Sequence, residues 1–227
     1  MQLVISHPWN IPEDEALKLQ KKLASEVVKV DSFDGIGAIA GVDVAYEKDS
    51  DKLFAAVVVL DAQSLQIIET ATAADVAQFP YIPGLFSFRE LPPICQALSR
   101  LKTVPDLIVC DGQGIAHPRR FGLASHLGVL FNIPTIGCGK TRLIGEATEP
   151  VNNRGGFAPL VDHDEVVGRV LRTQTGVKPV YISIGHRISI ETACDWILKL
   201  SPRYRLPETT RYADQQVRQL LKDTRRL

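Results

Sequence analysis

Ile36-Gly-Ala-Ile-Ala-Gly-Val-Asp-Val-Ala-Tyr46 is an apolar run interrupted by a single charge, Asp43. Its composition reads as a buried strand. Successive side chains of a strand alternate between its faces, so Asp43 shares a face with Gly41 and Ala45, while Val42, Val44 and Tyr46 face the other way. A buried carboxylate is costly without a partner. Asp43 is therefore salt-bridged, on a sheet edge, or kept for chemistry. The small neighbours on its face leave room for a metal ion or a phosphate to approach.

Outward from this run, residues 53–60 and 65–70 follow at hairpin-like separations, so the first three strands are expected to be antiparallel. A loop, Phe79-Pro-Tyr-Ile-Pro-Gly84, then leads into a helix ending near Leu101. The strand Leu107-Ile-Val-Cys-Asp111 precedes a glycine-rich turn and a helix from about Pro118 to Asn132. Another strand, Thr135-Ile-Gly-Cys138, ends at Gly139-Lys140. An irregular stretch rich in Gly and Asn gives way to strands near 165–172 and 179–184, and then a helix over 190–200. Upstream, Pro12 followed by Glu13-Asp14-Glu15 marks a helix start with acids at the positive end of the dipole. Ala16, Leu23, Ala24, Val27 and Val28 continue it at helical spacing. The order predicts an α/β fold: a mixed sheet of three antiparallel strands and then parallel strands, flanked by helices. It matches a ribonuclease H-like architecture, and the pattern alone also suits other mixed α/β folds.

The 227 residues fit one domain, ending in a short basic helical tail at about 208–227. At 45% hydrophobic residues the chain can bury a continuous core. No apolar run approaches the ~18 residues that span a membrane, and the N-terminus does not read as a signal peptide. Cys95, Cys110, Cys138 and Cys194 are scattered and read as reduced, mostly buried thiols of a cytoplasmic protein. Net charge is zero, but residues 1–70 hold twelve acidic and six basic side chains, and residues 199–227 hold three acidic and eight basic ones. That asymmetry permits a one-sided basic surface for phosphates, or simply a solvated C-terminal helix.

Two more carboxylates stand out. Asp111 ends an apolar strand before Gly112-Gln113-Gly114, where functional carboxylates gather and where Asx turns are also common. Glu90 lies in Ser87-Phe-Arg-Glu90, which fits a capping box, yet Pro92 and Pro93 then fall in the first helical turns, where Pro93 is poorly accommodated. Three such carboxylates can hold two divalent ions for in-line phosphoryl displacement. Lys140, in Gly137-Cys-Gly-Lys-Thr141, imitates the end of a Walker A loop, but Pro134 occupies the required glycine position. His117 stands where a dinucleotide fingerprint needs its last glycine. His117-Pro118-Arg119-Arg120 is expected to open a helix whose N-terminal amides and arginines suit an anion. His126, His163 and His186 read as structural. No Ser-nucleophile elbow, zinc-protease helix or Cys/His zinc spacing is present.

Gly41-Val-Asp-Val-Ala-Tyr46, Pro80-Tyr-Ile-Pro-Gly84, Ser87-Phe-Arg-Glu90 and Asp111-Gly-Gln-Gly-Ile-Ala-His-Pro-Arg-Arg120 together resemble the endonuclease V family of deoxyinosine-directed nucleases. Pro134-Thr-Ile-Gly137 with Lys140, Gly185-His-Arg187 and Tyr204-Arg-Leu-Pro207 continue the likeness, which extends over about residues 12–215. The resemblance implies a ribonuclease H-like fold and Mg²⁺-dependent hydrolysis, with Mn²⁺ as a substitute, of the second phosphodiester bond 3′ to a deaminated purine. It implies 3′-hydroxyl and 5′-phosphate products and a deoxyinosine DNA substrate with inosine RNA as a further one; the chain is expected to be a monomer. Asp43, Glu90 and Asp111 match the metal-site positions, with Lys140 and His117 beside them. Tyr81 matches a strand-separating wedge. Pro83, Gly84, Gly112, Gly114, Ile115 and Arg119 fall on its substrate-binding segments.

Two positions depart from the family pattern. Position 113 is often histidine and is Gln113 here, and the usual Gly-Val-Ala-Lys is Gly-Cys-Gly-Lys, where Gly139 is expected to loosen the lysine. Neither change removes a carboxylate. A binding module that recognises altered bases without cutting is the alternative from another class; loss of a carboxylate would favour it. A junction-resolving enzyme of the same fold is a second alternative, against which the Tyr81 loop argues.

Overall fold

A computed structural model describes residues 1–224; the last three residues of the expected tail, 225–227, lie outside the described residues. Among the described residues, eight strands form one sheet: β1 (Ala38–Tyr46), β2 (Lys52–Asp61), β3 (Ile67–Val76), β4 (Leu107–Cys110), β5 (Thr135–Gly139), β6 (Phe157–Asp162), β7 (Glu165–Leu171) and β8 (Val180–His186). Their order is β3-β2-β1-β4-β5-β8-β7-β6. The first three strands are antiparallel, and β4 and β5 run parallel to β1. This is the expected ribonuclease H-like sheet. Beyond β5 the sheet continues antiparallel through β8, β7 and β6.

β6 falls in the stretch that reads as irregular. It is joined to β7 through His163 and Asp164, both at positive φ (50° and 65°), the backbone that a two-residue hairpin needs. His163 thus sits in an exposed turn.

Five helices among the described residues cover the sheet: α1 (Glu13–Ala24), α2 (Phe86–Ser99), α3 (Leu123–Phe131), α4 (Ile190–Leu200) and α5 (Glu208–Thr224). α1 starts behind Pro12 with three acids in its first turn and Lys21 and Lys22 in its last, matching both ends of the helix dipole. It stops at Ala24, so Val27 and Val28 lie past it. Ala40, Val42, Val57 and Ile108 pack with Leu91, Ile94 and Leu98 of α2 and Leu127 of α3. The opposite face, with Ile39, Leu107, Val109 and Ile182, packs on Ala193 and Ile197 of α4. The period-two alternation expected for β1 is what divides its side chains between these two layers.

One local expectation is corrected and one rival reading falls. The helix expected from about Pro118 begins at Leu123. Arg120 is left-handed (φ 55°) and its amide bonds His117 O at 2.8 Å, closing a turn first. Gly122, before the helix, lies so close to Gln113 that a Cβ there would be 2.3 Å from its carbonyl oxygen. Residues 117–120 therefore do not form a helix N-terminus for an anion. The capping box, the rival reading of Ser87 and Glu90 that the prolines weaken, does not form. The helix is entered through Leu85, and Ser87 Oγ is instead hydrogen-bonded to His126 Nδ1 at 2.9 Å. Pro92 and Pro93 both lie inside α2; neither has an N–H to give to the carbonyl four residues back.

Candidate active site: an acidic centre beside a cleft

The sheet register brings the two aspartates together. Val42 of β1 pairs with Cys110 of β4 in the parallel ladder. Asp43 and Asp111 each follow by one residue, so they lie side by side on neighbouring strands, whose spacing is about 4.8 Å. β5 lies next to β4, and Lys140 leaves its carboxyl end to form an ion pair with Asp111 Oδ2. Glu90 enters from α2. It is buried, and its Oε1 accepts a hydrogen bond from Tyr46 Oη at 3.0 Å.

The charges in this group oppose one another. Burial first, then the charge of Asp111, push Asp43 up to about 7, with Lys140 acting the other way. Burial likewise pushes Glu90 up to about 8; the Tyr46 bond opposes this, and Asp43 and Asp111 reinforce it. Burial works against the charge of Lys140, but its bond to Asp111 prevails and holds its pKa above the ordinary value.

As the side chains stand, no group of three or more His, Cys, Asp or Glu among the described residues is gathered to hold an ion; Tyr46 engages Glu90 and Lys140 engages Asp111. The donor chemistry nevertheless fits a hard divalent cation, because all three groups offer carboxylate oxygens. Two of them are driven toward protonation by burial first and then by the neighbouring aspartate charges, which a bound cation would offset.

Gly41 does not serve the purpose its size suggests. A Cβ there would lie 2.2 Å from the backbone of Thr209, at the start of α5. The small residue admits a helix against β1, not an ion to Asp43. α5 in turn brings Asp214, whose charge bears on both Asp43 and Lys140. Sequence reading misses Asp214, which reads as one more charge on a solvated helix. Tyr46 is missed as well; its hydroxyl direction follows only from the packing of α2.

A cleft of about 440 Å³ opens from Asp111 and Lys140. Tyr81, Pro83, Gly84 and Gly112 line it, and so does His117, which the sequence sets beside the carboxylates. Phe86, Leu123 and Leu143 add apolar wall. Tyr81 is 71% exposed, its ring edge-on to Phe86 with centroids 6.3 Å apart. It is not packed beneath its loop. His117 is buried, with its Nδ1 accepting from Arg119 N at 3.2 Å. Burial and the nearby Arg119 charge lower its pKa to about 4, so it is a neutral imidazole with its proton on Nε2.

Three expected substrate residues lie elsewhere. Gly114 is packed where a Cβ would be 1.9 Å from Ile184 O, and Ile115 is buried with its amide on Ile184 O at 2.8 Å. Arg119 is a brace: it bonds Gly84 O at 2.6 Å and Gln20 Oε1. Gln20, buried on α1, donates to Gly84 O at 2.9 Å and to Phe121 O at 2.8 Å. This network ties the Tyr81 loop to α1 and to the 112–122 turn. Nothing in the polar, helical look of Gln20 signals it.

The two departures from the family pattern fit each other. A Cβ at Gly139 would lie 2.1 Å from Gln113 Nε2, so Gly139 makes the space that Gln113 fills. From there Gln113 donates to Thr141 O at 3.1 Å. The expected loosening of Lys140 is thus offset by a brace on the next residue, and Arg205 donates to Lys140 O at 2.6 Å.

The sheet order and the paired aspartates define a ribonuclease H-like protein with an acidic centre on its middle strands. Residues 21–215 match the family model of Endonuclease V, and the chain belongs to that family. Endonuclease V of Trichormus variabilis is 51% identical over 215 residues, 94% of this chain and 97% of that protein. The crystal structure of Endonuclease V from Streptomyces avermitilis superposes with a TM-score of 0.92 at 48% identity, covering 99% of each chain. Endonuclease V of Ciona intestinalis, in complex with a 24mer DNA containing an inosine followed by a ribo-adenosine, has a TM-score of 0.83 at 28% identity, over 93% of this chain and 98% of that one.

Proposed function

We propose that this protein is a repair endonuclease that recognises deoxyinosine in DNA and hydrolyses the second phosphodiester bond 3′ to it, with inosine in RNA as a further substrate. The observation that carries this reading is the junction of the cleft with the acidic centre at Asp111 and Lys140. A base seated in the cleft has its strand running past the carboxylates.

Asp43, Glu90 and Asp111 would hold Mg²⁺, for which Mn²⁺ substitutes. When bound, the ion supplies Lewis-acid charge and a more acidic water. The cleft walls receive a flipped-out base, since an inosine in a duplex is unreadable on its pairing edge. Tyr81 fills the gap that flipping leaves. His117 offers a neutral N–H donor to the base. Lys140 places positive charge where the transition state gathers negative charge. Water attacks phosphorus, the bond from phosphorus to the 3′ oxygen breaks, and the products are a 3′-hydroxyl and a 5′-phosphate. The chain acts as a single-domain, monomeric cytoplasmic protein; no helix among the described residues is long and apolar enough to cross a membrane.

The test is cleavage of matched oligonucleotides bearing one deoxyinosine, one inosine or an ordinary adenine, with and without Mg²⁺, and with the product ends mapped. Cutting that needs the ion and the altered base, at the second bond, supports the reading. Cutting indifferent to the base, or binding without cutting, overturns it.

A further inference from the structure

The segment 140–142, which lines the cleft, also lines a second recess, of about 540 Å³. Its charged lining is Lys140, Arg142, Arg172, Lys178 and Arg205 against Glu149 alone. Five cations less one carboxylate leave a local charge of +4, in a chain whose net charge is zero.

Two of these cations are structural. Arg172 is buried and donates to Val151 O at 3.2 Å and Pro150 O at 3.3 Å, besides bonding Val177 O and pairing with Glu149. Arg205 donates to Lys178 O at 2.9 Å, Pro179 O at 2.8 Å and Lys140 O at 2.6 Å. Both fix the walls and leave their charge in the floor. Arg142 and Lys178 differ. They are exposed, and among the described residues their head groups make no hydrogen bond or ion pair. Mutual repulsion of uncompensated cations is tolerated where an anion is to be met.

Lys140 belongs to the cleft, the acidic centre and this recess at once. A strand that leaves the cleft past Lys140 has two ways to continue. One runs beside α5, where Lys140, Arg211 and Arg218 face Asp111 and Asp214, a balance of +1. The other enters the recess, still at +3 when the Asp111 that pairs with Lys140 is counted there too. Phosphates favour the second.

We propose that this recess binds the backbone phosphates of the cleaved strand on the 3′ side of the cut, with Lys178 and Arg142 as their direct contacts. The proposal rests on the functional reading above, which sets the direction of the strand. The contact is electrostatic and blind to base sequence.

The experiment measures binding of wild type, Lys178→Gln and Lys178→Glu to single-stranded DNA containing one deoxyinosine, without divalent cation and over a range of salt. One oligonucleotide ends just past the cut, another continues well beyond it, and a third is the long form with adenine in place of deoxyinosine. Wild type should hold the long form more tightly. Lys178→Gln should weaken the long form several-fold and flatten its salt dependence by about 0.7 in log–log slope, one phosphate contact on a single strand. Lys178→Glu should weaken it further, and both variants should bind the short form as wild type does. Equal weakening of both forms, or no weakening of the long one, overturns the proposal. Wild-type protein with no preference for deoxyinosine over adenine overturns the functional reading instead, so the two failures are distinguishable.

Discussion

The hydroxyl of Tyr46, at the end of β1, donates to Glu90 Oε1, at the start of α2, over 3.0 Å. The bond favours the ionised carboxylate in a place where burial opposes it. Tyr46→Phe removes a hydrogen bond to a charged group, worth about 1.5–3 kcal/mol. Cleavage at neutral pH should fall by about tenfold or more, and the acid limb of its pH profile should move up. An unchanged profile would make Tyr46 a packing residue.

Glu90 and Asp43 also make the ion-free protein sensitive to pH. Glu90 is raised from 4.5 to about 8 and Asp43 from 3.8 to about 7. A raised carboxyl binds its proton more tightly folded than unfolded. Its contribution to stability is therefore complete below pH about 4 and is lost as pH rises through about 7 to 8. Thermal melts in a chelator should show Tm falling across that window. The fall should be shallower in Glu90→Gln, and added Mg²⁺ should reduce it in wild type. Identical slopes for the two proteins would contradict the burial of an uncompensated charge.

Gly139→Ala tests the pairing with Gln113. The new methyl would meet Gln113 Nε2, so the amide must turn away and release Thr141 O. The expected cost is about 1–3 kcal/mol of stability, with a slower single-turnover cut because Lys140 precedes Thr141. Gln113→Ala combined with Gly139→Ala should recover the stability and not the rate. A single variant as stable and as fast as wild type would show that the two residues are independent.

Much of this was legible in the chain. The lone charge in residues 36–46 pointed to β1, and the apolar run before Asp111 pointed to β4. Their parallel pairing, which sets the two aspartates side by side, shows only in the ladder that joins Val42 to Cys110. What stayed hidden depends on long-range contacts. Gln20 reaches Gly84 and Phe121, 64 and 101 residues away, and no local pattern reports such a bond. β3 runs to Val76 rather than ending near Thr70 because its alanine-rich second half, Ala71 to Ala74, pairs with Val57 to Phe54 of β2. The basic end of the chain read equally well as a solvated helix. Its buried Ala213 and Val217 lie against β2 and bring Asp214 to the centre.

Tyr81→Ala separates recognition from chemistry. The ring is exposed on a loop held by Gln20 and Arg119 at Gly84, and so is free to enter a duplex. Cleavage of duplex substrate should fall strongly while single-stranded substrate, with no partner strand to displace, is spared. Both rates should be taken at one salt concentration. A ratio of duplex to single-strand rates equal to that of wild type would reject the wedge.

The central claim is that Asp43 and Asp111 carry the chemistry and not the recognition. The direct measurement is cleavage with Mg²⁺, and binding without it, of the same deoxyinosine oligonucleotide by wild type, Asp43→Asn and Asp111→Asn. Each variant keeps the shape of the side chain and removes its charge. The account predicts cutting reduced to background in both, with lesion binding within a few-fold of wild type. Cleavage by either variant at near wild-type rate would contradict it.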